Sequence, residues 1–379
     1  MGSPTLNHHQ PRRFGRVVCI GFRRWKAYSL RPLLLAALSS NVHFAPTASA
    51  ASRLRLAPTD AIAVWGRSRI PGAEALANTT GCALLRLEDG FYRSIGLGSD
   101  LIAPRSLVVD SRGIYFDPTH PSDLEVLLNE RDVSPDDLVR ARQIRAIITE
   151  HQLTKYNIEP LTPAQWGAHG RRIILVPGQV SDDASVRYGS PEITSNEQLV
   201  LAVRKANPDA FIVFKPHPDV TSGNRRGRLN MAAIDGAADL IATTESAISC
   251  IEAADEIHTM TSQTGFEGLL RGKRVVTYGL PFYAGWGLTD DRAMHAPALA
   301  RRRRPLTLDE LVAITLLHYP LYWDPAAGQL TDCEDTLSWL ALNRHSMELT
   351  GRLVQLRKGG VSRLKRKLAV VVPSLFARL

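Results

Sequence analysis

Residues 171–189, RRIILVPGQVSDDASVRYG, place a buried strand directly before a turn that is crowded with polar side chains. The run up to Val176 is continuously apolar, which is typical of a strand in a parallel sheet that is covered on both faces. Two adjacent carboxylates, Asp182 and Asp183, follow it. They could simply cap a helix, since Asp and Ser at a helix start accept backbone N–H groups. They could also form an active site, because parallel α/β sheets bind ligands beyond the carboxyl ends of their strands.

The same alternation of short apolar runs and helical stretches extends through most of the chain, and it predicts an α/β fold with two parallel sheets. Strands are predicted at 16–22, 60–66, 82–90, 171–178, 210–220, 240–245, 256–262 and 274–279. Helices are predicted after Gly21 and at 121–130, 133–153, 195–208, 246–254 and 264–273. SLVVD (106–110) and GIYFD (113–117) predict a hairpin.

Basic residues are concentrated at the two ends of the sequence. Residues 1–59 contain nine Arg and Lys and no acid, and residues 351–379 contain eight and no acid. The other 29 of the 46 basic residues and all 37 acidic residues lie in residues 60–350. This body of the chain is therefore acidic, although the whole chain carries a net charge of +9. Basic ends on an acidic body favour an anionic membrane surface, worth roughly 1 kcal/mol per charge, over nucleic acid.

The cysteines and the apolar runs limit the class of protein further. The four cysteines (19, 82, 250, 333) are scattered without a CxxC pair, which argues against a zinc site or a disulfide framework. No apolar run reaches the roughly 20 residues that span a bilayer. The stretch around 31–51 imitates a secretory signal, but we expect it to be a helix of the fold that is not cleaved. The 364–379 segment interleaves leucines with lysines and arginines, which predicts either an interfacial helix or one packed back on the body.

RLEDGFYRSIGLGSD (86–100) places two acids, Glu88 and Asp89, at a predicted strand end. Arg93 and Ser94 stand among glycines and could bind a carboxylate or a phosphate. The plain alternative is a glycine turn with a solvated arginine.

FKPHPDV (214–220) ends another strand with a histidine between two prolines. The prolines restrict the backbone around His217, and Lys215 precedes it. This pair suits phosphate binding or proton donation better than a purely structural role.

TSQTGFEGLLRGK (261–273) begins a helix after hydroxyl-bearing residues. Free N–H groups at a helix start bind phosphate, so Ser262, Thr264 and Gly265 are candidate phosphate ligands. Glu267 in the first turn could reach a ribose hydroxyl, although an ordinary capped helix has the same pattern. The later stretch GLPFYAGWGLTDD (279–291) is either an active-site loop or a packed connection.

Taken together, these motifs resemble one family, the capsule-polysaccharide β-Kdo glycosyltransferases of the KpsC/LipB type. The resemblance covers about residues 15 to 340 and is closest to the second module of the two-module members, which also begins with a GF-x-RWK segment. It is carried by EDGFYRSIGLGSD, SLVVDSRGIYFDPTHPSDLE, LTKYN, VPGQVSDDASVRYGSP, FKPHPDV, TS-x-TGFE-x-LLRGK and YGLPFYAGWGLT. This chain has one such module, so it would add a single linkage or act with a separate partner enzyme.

The resemblance implies a GT-B-like α/β fold with two Rossmann-like domains facing a cleft. We expect an acceptor-side domain at 14–165, a CMP-sugar-binding domain at 166–325, and C-terminal helices with a basic membrane-surface tail at 326–379. The donor would be CMP-β-Kdo and the acceptor a lipid-linked glycan. The protein would be cytoplasmic and peripheral on the inner face of the inner membrane, with other capsule assembly enzymes as partners and without nucleic acid.

The family's Q-x-x-x-D-x-S motif implies that Asp183, counted from Gln179 and followed by Ser185, is the nucleophile of a retaining reaction. Glu88 or Asp89 would be the base for the acceptor. The resemblance further implies CMP contacts from Lys215, His217, Ser262 and Glu267, and Kdo carboxylate contacts from Arg93 and Arg187. Since phosphate is already a good leaving group, we expect no metal and no cofactor.

Two other functions fit parts of the sequence. A non-catalytic capsule export or assembly factor would need the basic ends but not Asp183. A transferase with a UDP donor would differ only in a few contacts to the base, which the sequence does not identify.

Overall fold

The computed structural model describes residues 13–159, 161–180, 182–217, 234–293, 297–358 and 360–377. Contacts divide the chain into two units: unit 1 contains residues up to Arg112 and from Thr315 onward, and unit 2 contains Gly113–Ile314. This division assigns residues 113–165 to unit 2 and 315–325 to unit 1, which differs from the expected boundaries at 165 and 325. Helices from the first of these segments pack on unit 2: the Arg304 guanidinium, for example, donates to the carbonyl of Leu128.

Each unit contains one sheet. Of the thirteen strands that the structure describes, seven form the sheet of unit 1 and six form the sheet of unit 2. In chain order they are β1 (Val17–Ile20), β2 (Val42–Ala45), β3 (Ala61–Trp65), β4 (Ala83–Asp89), β5 (Ser106–Asp110), β6 (Ile173–Pro177), β7 (Phe211–Lys215), β8 (Leu240–Ile241), β9 (Glu256–Thr259), β10 (Arg274–Thr277), β11 (Asp290–Asp291), β12 (Pro320–Asp324) and β13 (Gln329–Thr331).

The α-helices of the described residues surround these sheets. They are α1 (Arg24–Ala37), α2 (Ala48–Ser52), α3 (Ala73–Thr80), α4 (Asp123–Glu130), α5 (Pro135–Glu150), α6 (Ala184–Gly189), α7 (Asn196–Ala206), α8 (Ala247–Ala253), α9 (Gln263–Leu270), α10 (Leu308–Val312), α11 (Cys333–Leu349), α12 (Arg352–Lys358) and α13 (Gly360–Phe376). Serine caps start several of them: the Ser195 side chain, for example, accepts the N–H of Gln198 at the start of α7.

The sheet of unit 1 has the order β13-β12-β5-β4-β3-β1-β2. Strands β1 to β4 are parallel, whereas β5 runs antiparallel to β4 and to β12. A Rossmann-like half is therefore extended by antiparallel strands. Its core lies between β1 and α1, where Val17, Leu33 and Leu34 are almost fully buried.

The predicted hairpin of 106–110 with 113–117 is wrong, because only the first segment is a strand. The chain turns away at Gly113, where a Cβ would lie 2.5 Å from the carbonyl oxygen of Pro121. The edge of β5 is instead covered by β12, with Tyr322 opposite Ser106. A partner so distant in sequence leaves no local signal.

The sheet of unit 2 is parallel throughout, in the order β11-β10-β9-β6-β7-β8. Its core is formed by side chains from β6 and β7 against α7, including Val176, Phe214 and Leu199. The order matters for function, because β6 lies between β9 and β7. The carboxyl ends of these three strands consequently meet at one edge of the sheet.

The C-terminal helix α13 returns to pack on α1 within unit 1. The Arg24 guanidinium donates to the carbonyl oxygens of Ser374, Leu375 and Ala377, and thereby satisfies backbone acceptors at the end of α13. Lys367 lies 3.7 Å from the Asp100 carboxylate. Among the helices of the described ranges, none combines the length and the apolar character that crossing a membrane requires.

Candidate functional site

The predicted site residues fall into two groups, one in each unit. In unit 2 they follow the carboxyl ends of β6, β7 and β9, as the sequence predicted. In unit 1 they lie at the end of β4, the central strand of its sheet, and in the loop directly after it.

Gln179 connects the end of β6 to the end of β9. Its side-chain oxygen accepts the Thr261 N–H at 2.9 Å, and its amide nitrogen donates to the Thr261 hydroxyl at 2.9 Å. Its backbone exchanges two hydrogen bonds with the side chain of Asn196, at 2.8 and 2.9 Å. With Gln179 only 6% exposed, this buried clamp fixes the geometry of the turn that carries Asp183.

Asp183 is the N-cap of α6, and its Oδ1 accepts the N–H of Ser185 at 2.8 Å. The capping explanation of the two acids is thus confirmed for Asp183, which leaves room for a chemical role of its second oxygen. The Ser185 hydroxyl lies 3.2 Å from that of Thr261. Asp182 and Arg187 are exposed, and the Arg187 guanidinium lies 5.7 Å from the ring centroid of Tyr188.

Lys215 is the last residue of β7, and His217 follows it after Pro216. Lys215 is 7% exposed, and its ammonium lies 3.8 Å from the Glu159 carboxylate. His217 is half-buried. A cation that is buried at the carboxyl edge of a parallel sheet is well suited to bind an anionic ligand.

Ser262 caps α9 by accepting the Thr264 N–H at 3.1 Å, and its hydroxyl donates to that of Thr264 at 3.0 Å. Its carbonyl accepts the Tyr283 hydroxyl at 2.6 Å. Gly265 is needed at this place, since a Cβ there would come within 2.1 Å of the same hydroxyl. Tyr283 therefore supports the start of α9 by a hydrogen bond and by close packing.

The stretch 279–291, which contains Tyr283, is a packed connection. Tyr283 and Trp286 are completely buried, and the Trp286 indole donates to the carbonyl of Phe282. Of the two alternatives left open by the sequence, packing is the one that the structure favours.

Glu267 lies in α9 with 4% of its surface exposed. Burial raises the pKa of its carboxyl to about 7, although Arg271 and the backbone N–H of Lys155 act in the opposite direction. A ribose hydroxyl that bound this carboxylate would share it with the backbone N–H of Lys155. The sequence suggested no partner for Lys155.

In unit 1, Asp89 pairs with Arg93 at 2.7 Å, and Glu88 accepts the Asp89 N–H at 3.1 Å. Arg93 is 3% exposed; it also donates to the Ser94 hydroxyl and to the carbonyl of Ile102. The Ser94 hydroxyl in turn donates to the carbonyl of Gly96. Arg93 and Ser94 thus hold the 89–102 loop together, with their polar atoms directed into it.

Lys26 is a neighbour of these carboxylates that sequence reasoning missed. Its ammonium lies 3.2 Å from the ring centroid of Trp65. Burial lowers the pKa of Lys26, while the charges of Asp89 and Glu88 partly offset that effect. The GF-x-RWK segment includes Lys26, but the sequence identified this segment only as a family motif and assigned no role to its lysine.

No group of three or more His, Cys, Asp or Glu side chains is arranged to hold a metal ion in the described part of the chain. The expectation of a metal-independent reaction stays a prediction.

Comparison with known proteins connects this geometry to a family. The sequence profile described as "Capsule polysaccharide biosynthesis protein" matches residues 60–165 and 155–322. The chain is 41% identical over 347 residues to the capsule polysaccharide modification protein LipA of Neisseria meningitidis serogroup B. This match covers 91% of this chain and 48% of LipA. It is 38% identical over 290 residues to the lipopolysaccharide-processing protein LpsZ of Rhizobium meliloti, covering 76% and 65% respectively. The chain therefore spans about half the length of the LipA relatives that it matches.

Two solved structures from Thermosulfurimonas dismutans are similar along nearly their whole length. The KpsC β-Kdo 2,7 transferase is 34% identical with a TM-score of 0.69, and the match covers 87% of this chain and 99% of that one. The KpsC β-Kdo 2,4 transferase is 33% identical with a TM-score of 0.73, at 88% and 99% coverage. The predicted α/β, GT-B-like fold class is confirmed by these matches. On the strength of the profile and the relatives, this chain belongs to the capsule polysaccharide biosynthesis protein family, with KpsC Kdo transferases as structural relatives.

Proposed function

We propose that this protein is a retaining β-Kdo transferase that moves Kdo from CMP-β-Kdo to a lipid-linked acceptor in capsular polysaccharide biosynthesis. One observation carries the proposal: the turn with Asp183 is hydrogen-bonded through Gln179 and Ser185 to Thr261, directly before the hydroxyl-rich start of α9. A nucleophile is thereby held beside groups that suit a phosphate leaving group. The likeness to KpsC Kdo transferases gives independent support.

The reaction would proceed in two displacements. Asp183 attacks the anomeric carbon of Kdo, the bond from that carbon to the phosphate oxygen breaks, and CMP leaves with the electron pair. The acceptor hydroxyl then attacks the glycosyl-enzyme, its proton passes to Glu88 or Asp89, and the Asp183 carboxylate is released. Two inversions at one carbon give net retention.

The binding roles follow from charge and exposure. Lys215, His217 and the Ser262–Gly265 segment would contact the phosphate, and Glu267 the ribose. Arg187 is a better candidate than Arg93 for the Kdo carboxylate, because its guanidinium is exposed whereas that of Arg93 is buried and already bonded.

The test is transfer with CMP-Kdo generated in situ and a synthetic Kdo-terminated glycolipid, followed by mass spectrometry of products and protein. We expect a Kdo-extended glycolipid together with CMP release. A folded protein that transfers nothing to several acceptors and does not bind CMP would overturn the proposal in favour of an assembly factor. Transfer from UDP-sugars would instead identify a different donor.

We further propose that α13 binds the surface of an anionic membrane, where a lipid-linked acceptor is found. Leu364, Leu368, Val372 and Leu375 recur every three or four residues and are 47–59% exposed, and Phe376 beside them is 83% exposed. One apolar stripe along the helix therefore faces solvent, while Ser374 on the opposite side is buried. The segment 351–379 has eight basic residues and no acid, a charge that complements anionic lipid rather than a second basic helix.

Co-sedimentation with phosphatidylglycerol-containing and with pure phosphatidylcholine vesicles tests this surface. The double variant Leu368→Glu/Leu375→Glu should bind anionic vesicles at least about tenfold more weakly. Leu201→Glu, which changes an equally exposed leucine of α7, is the matched control and should bind normally. Unchanged vesicle binding in the double variant, or a dimer that only this variant disrupts, would contradict the membrane assignment.

A further inference from the structure

Residues 154–159 form a turn within unit 2 whose first part is held by its own hydrogen bonds. The Asn157 side chain accepts the Thr154 N–H at 2.8 Å, and the Thr154 hydroxyl accepts the Asn157 N–H at 3.0 Å. Asn157 is 2% exposed and has a φ of +52°, a left-handed conformation that asparagine tolerates better than most residues. This part of the LTKYN motif is therefore fixed by its own side chains.

The turn is attached to α9 and to α8. The Lys155 N–H is directed at the buried carboxylate of Glu267 in α9. Just beyond the turn, one carboxylate oxygen of Glu159 accepts the Ala247 N–H at 2.7 Å, at the start of α8. Both ends of the segment are thus anchored to helices that flank the proposed nucleotide site.

The other carboxylate oxygen of Glu159 lies 3.8 Å from the Lys215 ammonium. The side chain of Lys215 is 8% exposed and that of Glu159 24%. A buried ammonium is costly without a counter-charge, and the flexible four-carbon stem of a lysine does not fix where the charge lies. Glu159 supplies both the counter-charge and a fixed point of attachment.

We infer that Glu159 is a positioning residue that holds the Lys215 ammonium in place for the phosphate of the nucleotide. The inference rests on the proposed function, in which Lys215 contacts that phosphate. It assigns to the LTKYN segment and the residue that follows it a role in nucleotide affinity.

The experiment measures binding of CMP and of cytidine by calorimetry. Glu159→Gln keeps an oxygen for the Ala247 N–H but removes the charge, so the anchor to α8 is preserved. We expect CMP to bind roughly tenfold more weakly and cytidine to bind within about twofold of wild type. In a Lys215→Met background, Glu159→Gln should cause no further loss of CMP affinity.

A merely structural role would produce a different pattern. If Glu159 only anchors the turn, Glu159→Gln keeps that anchor and CMP affinity would stay unchanged. If the substitution instead disturbs the fold of the turn, CMP and cytidine affinities would fall together. Either result overturns the inference.

A second measurement needs no nucleotide. Acylation of Lys215 by an amine-reactive reagent, quantified by peptide mass spectrometry, should be severalfold faster in Glu159→Gln, because the flexible lysine side chain is no longer held against a carboxylate. An unchanged rate overturns the inference even if CMP binds well. A wild-type protein that binds no CMP, but whose Lys215 responds in this way, would instead overturn the proposed function.

Discussion

Gln179 and Thr261 exchange two hydrogen bonds of 2.9 Å across the carboxyl ends of β6 and β9. Because Gln179 is buried, its removal leaves the Thr261 N–H without its side-chain acceptor. This relationship joins two motifs that lie 82 residues apart in the sequence.

Gln179→Leu should lower the free energy of unfolding by about 1–3 kcal/mol, the usual cost of an unpaired buried polar group. Urea denaturation monitored by circular dichroism measures this change. Thr261→Ser is the control, since it keeps both the N–H and the hydroxyl and should cost less. Equal stability of Gln179→Leu and wild type would mean that the clamp contributes nothing.

Asp183→Asn should reduce Kdo transfer by at least about a thousandfold, because an amide cannot act as the nucleophile. Asparagine caps helices as well as aspartate, so the thermal midpoint should hardly change. Asp183→Ala should lose activity and also about 1 kcal/mol of stability. Asp182→Asn, at an exposed neighbour, should retain most activity; comparable activity in Asp183→Asn would remove Asp183 as the nucleophile.

Glu267→Gln should change how stability depends on pH. The folded protein holds the pKa of Glu267 at about 7, above the ordinary 4.5, so its stabilising contribution is fully present below 4.5 and is lost as the pH rises through 7. Relative to Glu267→Gln, wild type should therefore lose roughly 3 kcal/mol between about pH 4.5 and pH 8. Urea denaturation across this range measures the difference, and parallel pH profiles of the two proteins would contradict it.

Asp89→Asn and Glu88→Gln should separate structure from chemistry at the end of β4. Asp89→Asn leaves the buried Arg93 without its ion-pair partner and should cost about 3 kcal/mol of stability. Glu88→Gln should have a smaller effect on stability and, if Glu88 is the base, lower the rate of transfer roughly a hundredfold or more. Thermal unfolding and transfer assays on both variants measure these effects; a stable Asp89→Asn with wild-type unfolding would refute the structural role of the pair.

The sequence predicted β6 to β10 of unit 2 because these strands lie in short apolar runs bounded by glycine, proline or polar residues. It did not predict β11, which consists of Asp290 and Asp291. It also placed Gln179, Lys215 and Ser262 at the carboxyl ends of predicted strands. The structure shows that these strands, β6, β7 and β9, are neighbours, so the three ends meet at one edge of the sheet. What the sequence missed depends on contacts that are distant in sequence. Three such contacts produce no periodicity or spacing in the sequence that could predict them. They are the pairing of β12 with β5, the hydrogen bonds of Arg93 within its own loop, and the contacts of Glu159 with Lys215 and Ala247.

The interrupted path of the chain through unit 1 has a consequence for synthesis. Unit 2 is a continuous segment, so it can complete its contacts as soon as residue 314 has left the ribosome, whereas unit 1 waits for β12, β13 and α13. Until then the outer edge of β5 has no partner strand, and an unpaired edge is prone to association with other chains. Premature termination between residues 314 and 320 would therefore produce a finished unit 2 attached to an aggregation-prone half-sheet.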